Sequence, residues 1–259
     1  MMPAPTLPQN PKDGQALMVH LQAIAQEMHR MGSGHKHSLT KSTACYIFYS
    51  SNNFTHIRQI SMAHTNTNII MKFMEYTKTL CTEEFVKNML LCFAAPTISG
   101  IKAACLINFT RKDEDMRSVW LRCSGEWLAS LKVQALLLNE HCPCMNALVL
   151  IYRRELVARA LGCDEACELL AEYGYPLHDV DACLECLRRK FRTGFPHEIG
   201  LFLDYPPEDV RGFIENRQAQ KLSCPCCWKV YGNAEEAVCR FRKYKQAECE
   251  AARQILAGK

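Results

Sequence analysis

The sequence contains no uninterrupted apolar run of the roughly 18 to 20 residues that a membrane-spanning helix needs, and Met1 to Gly14 holds no basic region followed by an apolar stretch. Neither a spanning helix nor a secretory signal is therefore expected, and the reading is of a soluble, cytoplasmic protein with no membrane partner. A phosphate loop, a dinucleotide fingerprint and a nucleophile elbow are also missing, because the one glycine-rich piece, Gly32-Ser33-Gly34, lacks the strand-to-helix context those motifs require. The common nucleotide-dependent classes lose support. Charge of one sign is scarce as well: 31 basic against 27 acidic residues leave a net +4, too balanced to call for a polyanion, so nucleic acid is not the expected partner and a protein partner stays open.

One absence is local. No acidic residue stands between Glu27 and Glu75, and that stretch, rich in Ser, Thr, Asn and His, sustains neither a period of 2 nor one of 3.6. Ahead of it, Leu17, Leu21, Ile24 and Met28 fall at helical spacing, so one amphipathic helix is expected over 15–31. Residues 1–75 read as a peripheral or poorly ordered extension, as translated sequence upstream of a start at Met71 or Met74, or, more weakly, as a transit peptide. The folded part is expected over residues 76–259 as a single domain, and 48% hydrophobic with 22% charged residues suits a chain that buries a core.

From Thr82 the patterning sharpens. Thr82-Glu83-Glu84 offers a capping hydroxyl and first-turn acids ahead of Phe85, Val86, Met89, Leu90 and Phe93, which predicts a helix stopped by Pro96. Lys102 to Phe109 suits a buried strand, Asp113 to Asn139 a long helix kinked at Gly125, and Ala147 to Tyr152 the central strand of a small sheet. Short helices follow at about 154–161 and 164–172, ended by Gly162 and Gly174. Two echoing segments, Y-P-L-H-D-V at 175–180 and Y-P-P-E-D-V at 205–210, read as helix starts, with proline and acids suited to the first turn. A strand at Cys227 to Tyr231, a turn at Gly232-Asn233 and a helix over about 234–256 complete an α+β fold, mostly helical with three or four strands.

Three sets of residues in this region resemble a known family. F-P-H-E-I-G-L-F-L-D-Y-P-P-E-D-V-R-G-F-I-E-N at Phe195 to Asn216, W-K-V-Y-G at Trp228 to Gly232, and Ala95-Pro96-Thr97 with Gly100-Ile101-Lys102 are similar to domain-of-unknown-function family 3793, as are Gly174-Tyr175-Pro176 and Cys183-Leu184. The resemblance covers about residues 80–250 and implies an uncharacterised cytosolic bacterial protein, without catalytic residues to carry over. Asp204 stands where the family pattern leads one to expect glycine, and C-P-C-C replaces a more varied segment.

Sixteen cysteines are the compositional outlier, read mostly as thiols that pack like small hydrophobes. Cys224, Cys226 and Cys227, with Cys142-Pro143-Cys144 and Cys183/Cys186, form the candidate set for zinc or an iron–sulfur cluster, although their spacing departs from the usual pairs. The cofactor, if any, is otherwise unspecified. His197 and Glu198 are the candidate acid–base pair, with Lys102 as an anion-binding or catalytic companion; a zincin is excluded because no second histidine follows one turn later. Residues 197–217 also read as a helix-turn-helix, with Glu208 and Asp209 at the end that should approach phosphates. The leading expectation is an accessory binding protein in thiol, metal or redox physiology; the alternatives are an enzyme around His197 and Glu198, and a DNA-binding protein using 197–217.

Overall fold

The computed structural model describes residues 64–215, 217, 219 and 228–258. The expected helix at 15–31 and the cysteines at 224, 226 and 227 lie outside the described residues.

Three antiparallel strands form the centre: β1 (Ala104–Phe109), β2 (Gln134–Leu137) and β3 (Ala147–Tyr152), in the order β1-β3-β2. The register pairs Ala104 with Tyr152 and Phe109 with Ala147 on one side of β3, and Gln134 with Tyr152 and Leu137 with Val149 on the other. As expected, Ala147–Tyr152 is the central strand. Its unbroken apolar run follows from burial on both faces, since alternating side chains enter two different cores.

Cys105, Ile107, Phe109, Val149 and Ile151 face one core, formed with α1 (His64–Thr77), α2 (Thr82–Phe93), α4 (Met116–Leu131) and the inner face of α10 (Ala234–Ala257). Phe109 stacks on Trp120 with ring centres 5.1 Å apart. Ala104, Leu150 and Tyr152 face the other, formed with α5 (Arg154–Leu161), α6 (Asp164–Glu172), α7 (Val180–Lys190), α8 (Ile199–Phe202) and α9 (Pro207–Ile214). A third cluster, Trp228, Val230, Ala237, Phe241 and Tyr244, joins the start of α10 to Tyr205. Complete burial of a Phe, Leu or Ile side chain contributes about 1.5–3 kcal/mol, so the sheet is the main anchor of both helical layers.

Several boundaries differ from the sequence-based expectation for identifiable reasons. The line drawn at 75/76 falls inside α1, whose Ile70 and Phe73 are buried in the first core against α10. Thr82 is not the cap of α2: Cys81 holds that position, and the Thr82 hydroxyl donates to the Glu114 carboxylate. Pro96 does follow the end of α2 at Phe93, but it then sits in the first turn of the four-residue helix α3 (Ala95–Ile98), where its missing N–H costs nothing. The helix expected over 113–139 ends at Leu131, because Lys132 turns left-handed (φ 53°) and the next residues pair with β3 as β2. Its start is set by Asp115, whose carboxylate accepts the Ser118 N–H and hydroxyl at 3.1 and 2.6 Å. The strand expected at 227–231 is not formed in its described part; residues 228–230 are irregular.

Candidate functional site

A cleft of about 430 Å³ opens where four chain segments converge. The first is the turn Gly100-Ile101-Lys102. Gly100 adopts φ +77°, a left-handed conformation that suits glycine, and Arg153 pins the turn by donating from Nε to the Thr97 carbonyl at 2.8 Å. Opposite stands the turn from Asp204 to Glu208 that joins α8 to α9. It begins with Asp204 at φ +65°, which explains why a glycine is expected there and why aspartate, a residue that tolerates the left-handed region, can replace it. Helix α5 supplies Leu156, Arg159 and Ala160, and the first turns of α10 supply Glu236 and Arg240.

The charges in the cleft are unequally satisfied. Arg240 donates to Glu236 Oε1 at 2.6 Å and lies 3.7 Å from Asp204 Oδ1, while the Tyr244 hydroxyl donates to Asp204 Oδ2 at 3.2 Å. Lys102 is different. It is buried, only 9% exposed, with its ammonium 5.2 Å from the Tyr244 ring centre and 5.6 Å from that of Tyr205, yet no carboxylate of the described residues pairs with it. Aromatic faces offset part of the cost of desolvating an ammonium but do not neutralise it. Arg159, exposed at the rim, is likewise outside any ion pair among the described residues.

The other predicted site residues go elsewhere. Glu198 is 3% exposed beneath the short α8, accepting from the Tyr175 hydroxyl at 3.1 Å and pairing with Lys190 at 3.4 Å. Lys190 in turn lies over the Tyr173 and Tyr175 rings. Burial, and then the Glu198 carboxylate, hold the Tyr175 hydroxyl protonated far above its usual range. His197 precedes the helical residues of α8 and packs edge-on against Phe213, 5.1 Å between ring centres; burial there lowers its basicity. Lys102 therefore lines the cleft, whereas His197 and Glu198 do not, so the cleft does not bring the three together.

Gly200 does allow close packing: a Cβ there would meet Val210 Cγ2 at 2.7 Å. The hairpin of α8 and α9 is thus tight, as the sequence suggested. However, in the first turn of α9, the end that would have to enter a groove, Asp209 is buried against residues 228–232 while Glu208 stays exposed. Asp209 is 2% exposed; its Oδ2 accepts the Trp228 indole N–H at 2.7 Å and its Oδ1 the N–H groups of Tyr231 and Gly232 at 2.5 and 2.8 Å. The acids seen as an electrostatic objection to DNA binding hold the fold's own backbone.

Ten of the described cysteines are free thiols. Cys183 and Cys186 face inward from α7, and the Cys183 thiol donates to the Pro176 carbonyl at 3.1 Å; burial pushes it up to about 11. Cys105 is likewise pushed up to about 11 by burial. Cys142 and Cys144, by contrast, are joined by a disulfide, a pair expected as thiols. Among the described residues no three His, Cys, Asp or Glu side chains gather as a metal ion would require.

The family model described as "Protein of unknown function (DUF3793)" matches residues 90–259. The chain belongs to this family. Every residue that lines the cleft lies inside the matched span, including two of the segments on which the resemblance rests, Gly100-Ile101-Lys102 and Asp204 to Glu208. No curated protein and no solved structure matches the chain. Of the cleft residues, sequence reasoning singled out Lys102 as a site and Asp204 as a departure from pattern; Arg159, Tyr205, Glu236, Arg240 and the nearby Tyr244 come together only through the fold. Among the described helices, none is long and apolar enough to cross a membrane.

Proposed function

We infer that this protein is a binding protein, and that its ligand is a small organic or inorganic anion held in the cleft between the Gly100-Ile101-Lys102 turn and the Asp204–Glu208 turn. The observation that carries this reading is Lys102: a buried ammonium, flanked by two tyrosine rings, opening on a cleft without a carboxylate partner among the described residues. Burying a cation is costly unless something compensates it, and a ligand carboxylate or phosphate is the compensation the site leaves room for. Arg159 would add a second donor at the rim. Arg240, already engaged with Glu236 and Asp204, instead fixes the wall.

A cleft of this volume falls in the range of small-molecule sites. Its acidic members, Asp204, Glu208 and Glu236, disfavour a polyanion, so the occupant is expected to be compact, with its negative charge at one end. A cytoplasmic accessory role fits this reading. An acid–base enzyme around His197 and Glu198 gains no support, because Glu198 is occupied by Tyr175 and Lys190 away from the cleft.

Thermal denaturation in the presence of inorganic phosphate, pyruvate and lactate, with chloride at matched ionic strength as control, tests the reading. At least one anion should raise the melting temperature saturably; occupancy at 100 times Kd corresponds to about 2.7 kcal/mol of added stability. Lys102→Met should retain the fold and lose the effect. Equal stabilisation of Lys102→Met and wild type by the same anions would refute the assignment.

A further inference from the structure

Residues 138–146, between β2 and β3, carry a second arrangement, independent of the cleft. Cys142 and Cys144 are bonded through sulfur, with Cα atoms 5.3 Å apart, in the normal range for a disulfide. We propose that Cys142-Pro143-Cys144 is a thiol–disulfide exchange site whose substrates are thiols.

A cross-link stabilises a fold mainly by closing a loop, and its effect grows with the logarithm of loop length. With a sequence separation of 2, this bond closes almost nothing. The loop is moreover held without it. Asn139 donates from Nδ2 to the Asn146 carbonyl at 2.9 Å and accepts the Leu148 N–H at 2.9 Å, Asn146 bonds Asn108, and the Arg117 guanidinium gathers the carbonyls of Glu140 and Cys142. A structural staple is therefore the weaker explanation of this bond.

The surroundings of the sulfurs favour chemistry instead. Cys142 Sγ accepts the Cys144 backbone N–H at 3.4 Å, and Cys144 Sγ accepts from Asn139 Nδ2 at 3.5 Å. Donors aimed at sulfur, with the Arg117 cation on the Cys142 carbonyl, stabilise a thiolate more than a thiol. Both cysteines are partly exposed, and His141, Pro143 and Met145 around them are exposed, Met145 by 50%. Of the other described cysteines, Cys92, Cys105, Cys183, Cys186 and Cys249 are buried, and desolvation raises the thiols of Cys92, Cys105, Cys183 and Cys249; Cys123 is partly exposed beside the Arg122 guanidinium, but it is a free thiol with no second cysteine bonded to it.

The exchange balances with thiols and disulfides alone. A partner thiolate attacks Cys144 Sγ; the Cys142–Cys144 bond breaks, and its electron pair leaves on Cys142, whose thiolate the Cys144 N–H stabilises. The partner is now in mixed disulfide with Cys144. A second partner thiolate attacks the partner's sulfur, and Cys144 departs and takes a proton from water. Two partner thiols have been oxidised to a disulfide, and the protein's disulfide has been reduced to two thiols. A disulfide substrate drives the same steps in reverse.

The test uses the full chain equilibrated across a series of reduced and oxidised glutathione mixtures, then acid-quenched, alkylated and mapped by mass spectrometry. Cys142 and Cys144 should convert together, with one two-electron midpoint inside the series. In the reduced protein at neutral pH, Cys142 should alkylate at least tenfold faster than Cys81 and Cys239, two exposed thiols that serve as internal controls. Stopped-flow reduction by glutathione and by reduced thioredoxin separates the sources: a faster reaction with thioredoxin marks a protein dithiol as partner, and a faster one with glutathione a small thiol. The proposal fails if the two cysteines stay independent thiols throughout, if either bridges to another cysteine, or if Cys142 alkylates no faster than Cys81 and Cys239.

Discussion

The two helical layers that cover the sheet differ in what they bury. Beneath α1, α2, α4 and α10 the core is apolar, with Phe73, Phe93, Phe109 and Trp120 at its centre, and the side chains of Thr77 and Ser124 as neutral exceptions nearby. The opposite layer and its seam with α10 hold every charged residue in the buried set of the described chain: Lys102, Glu198 and Asp209. Two of these three are satisfied internally, Glu198 by Tyr175 and Lys190 and Asp209 by Trp228 and two backbone N–H groups. The third opens on a cleft. One face is thus built for stability, and the other carries polarity at a cost that only some of its groups recover within the fold.

The largest expected effect belongs to the apolar face. Phe109→Ala removes a fully buried ring stacked on Trp120 and should cost about 3–5 kcal/mol, read as the midpoint shift in urea denaturation. A loss below 1 kcal/mol would mean that this layer is not the main anchor. Next comes the polar face. Asp209→Ala should cost about 2–4 kcal/mol, because it leaves an indole N–H and two backbone N–H groups without their acceptor. The fluorescence of Trp228 should shift to the red before global unfolding in that variant, whereas an unshifted spectrum would place residues 228–232 elsewhere.

The smallest effect is a pH dependence. Burial depresses the His197 imidazole below its ordinary 6.5, so the unfolded chain binds the proton more readily than the native state does. Its contribution is therefore complete above the unfolded value and is lost as pH falls from about 7 toward the lower native value. His197→Phe, placed among Phe195 and Phe213, should flatten the stability profile between about pH 5 and 7 relative to wild type. Parallel profiles for the two proteins would show that His197 titrates normally.

How much of this was legible in the sequence varies with the range of the interaction involved. Ala147–Tyr152 could be identified as the central strand because a short, β-branched apolar run has few other uses, and α5, α6 and α10 because caps and periodicity agree over single segments. Strand β2 falls inside the helix expected over 113–139 because Ala135 to Leu138 is apolar without alternation; only pairing with β3 decides it. Helix α1 was missed since it has no first-turn acid and no basic last turn, and its membership in the core depends on α10, more than 150 positions later. The cleft was least legible of all. Lys102 stood out beside Gly100, but its isolation from carboxylates is a property of three other segments. Asp204 shows the same limit: the departure from glycine was visible, and its cause, φ +65° with a side chain turned to Tyr244 and Arg240, was not. Asp204→Gly should accordingly lie within about 1 kcal/mol of wild type, the relief of a left-handed residue offsetting those lost contacts, while Asp204→Ala, which loses both, should be the less stable of the two in thermal denaturation.

The occupancy of Lys102 is the most direct test of the whole account. Protein carrying ¹³C-dimethylated lysines, with the Lys102 resonance assigned by its disappearance in Lys102→Arg, can be titrated with the anion that stabilises the fold. The Lys102 signal should shift saturably at the concentration that raises the melting temperature, with the remaining lysine signals nearly still. A stationary Lys102 signal under conditions where that anion stabilises the protein would contradict it.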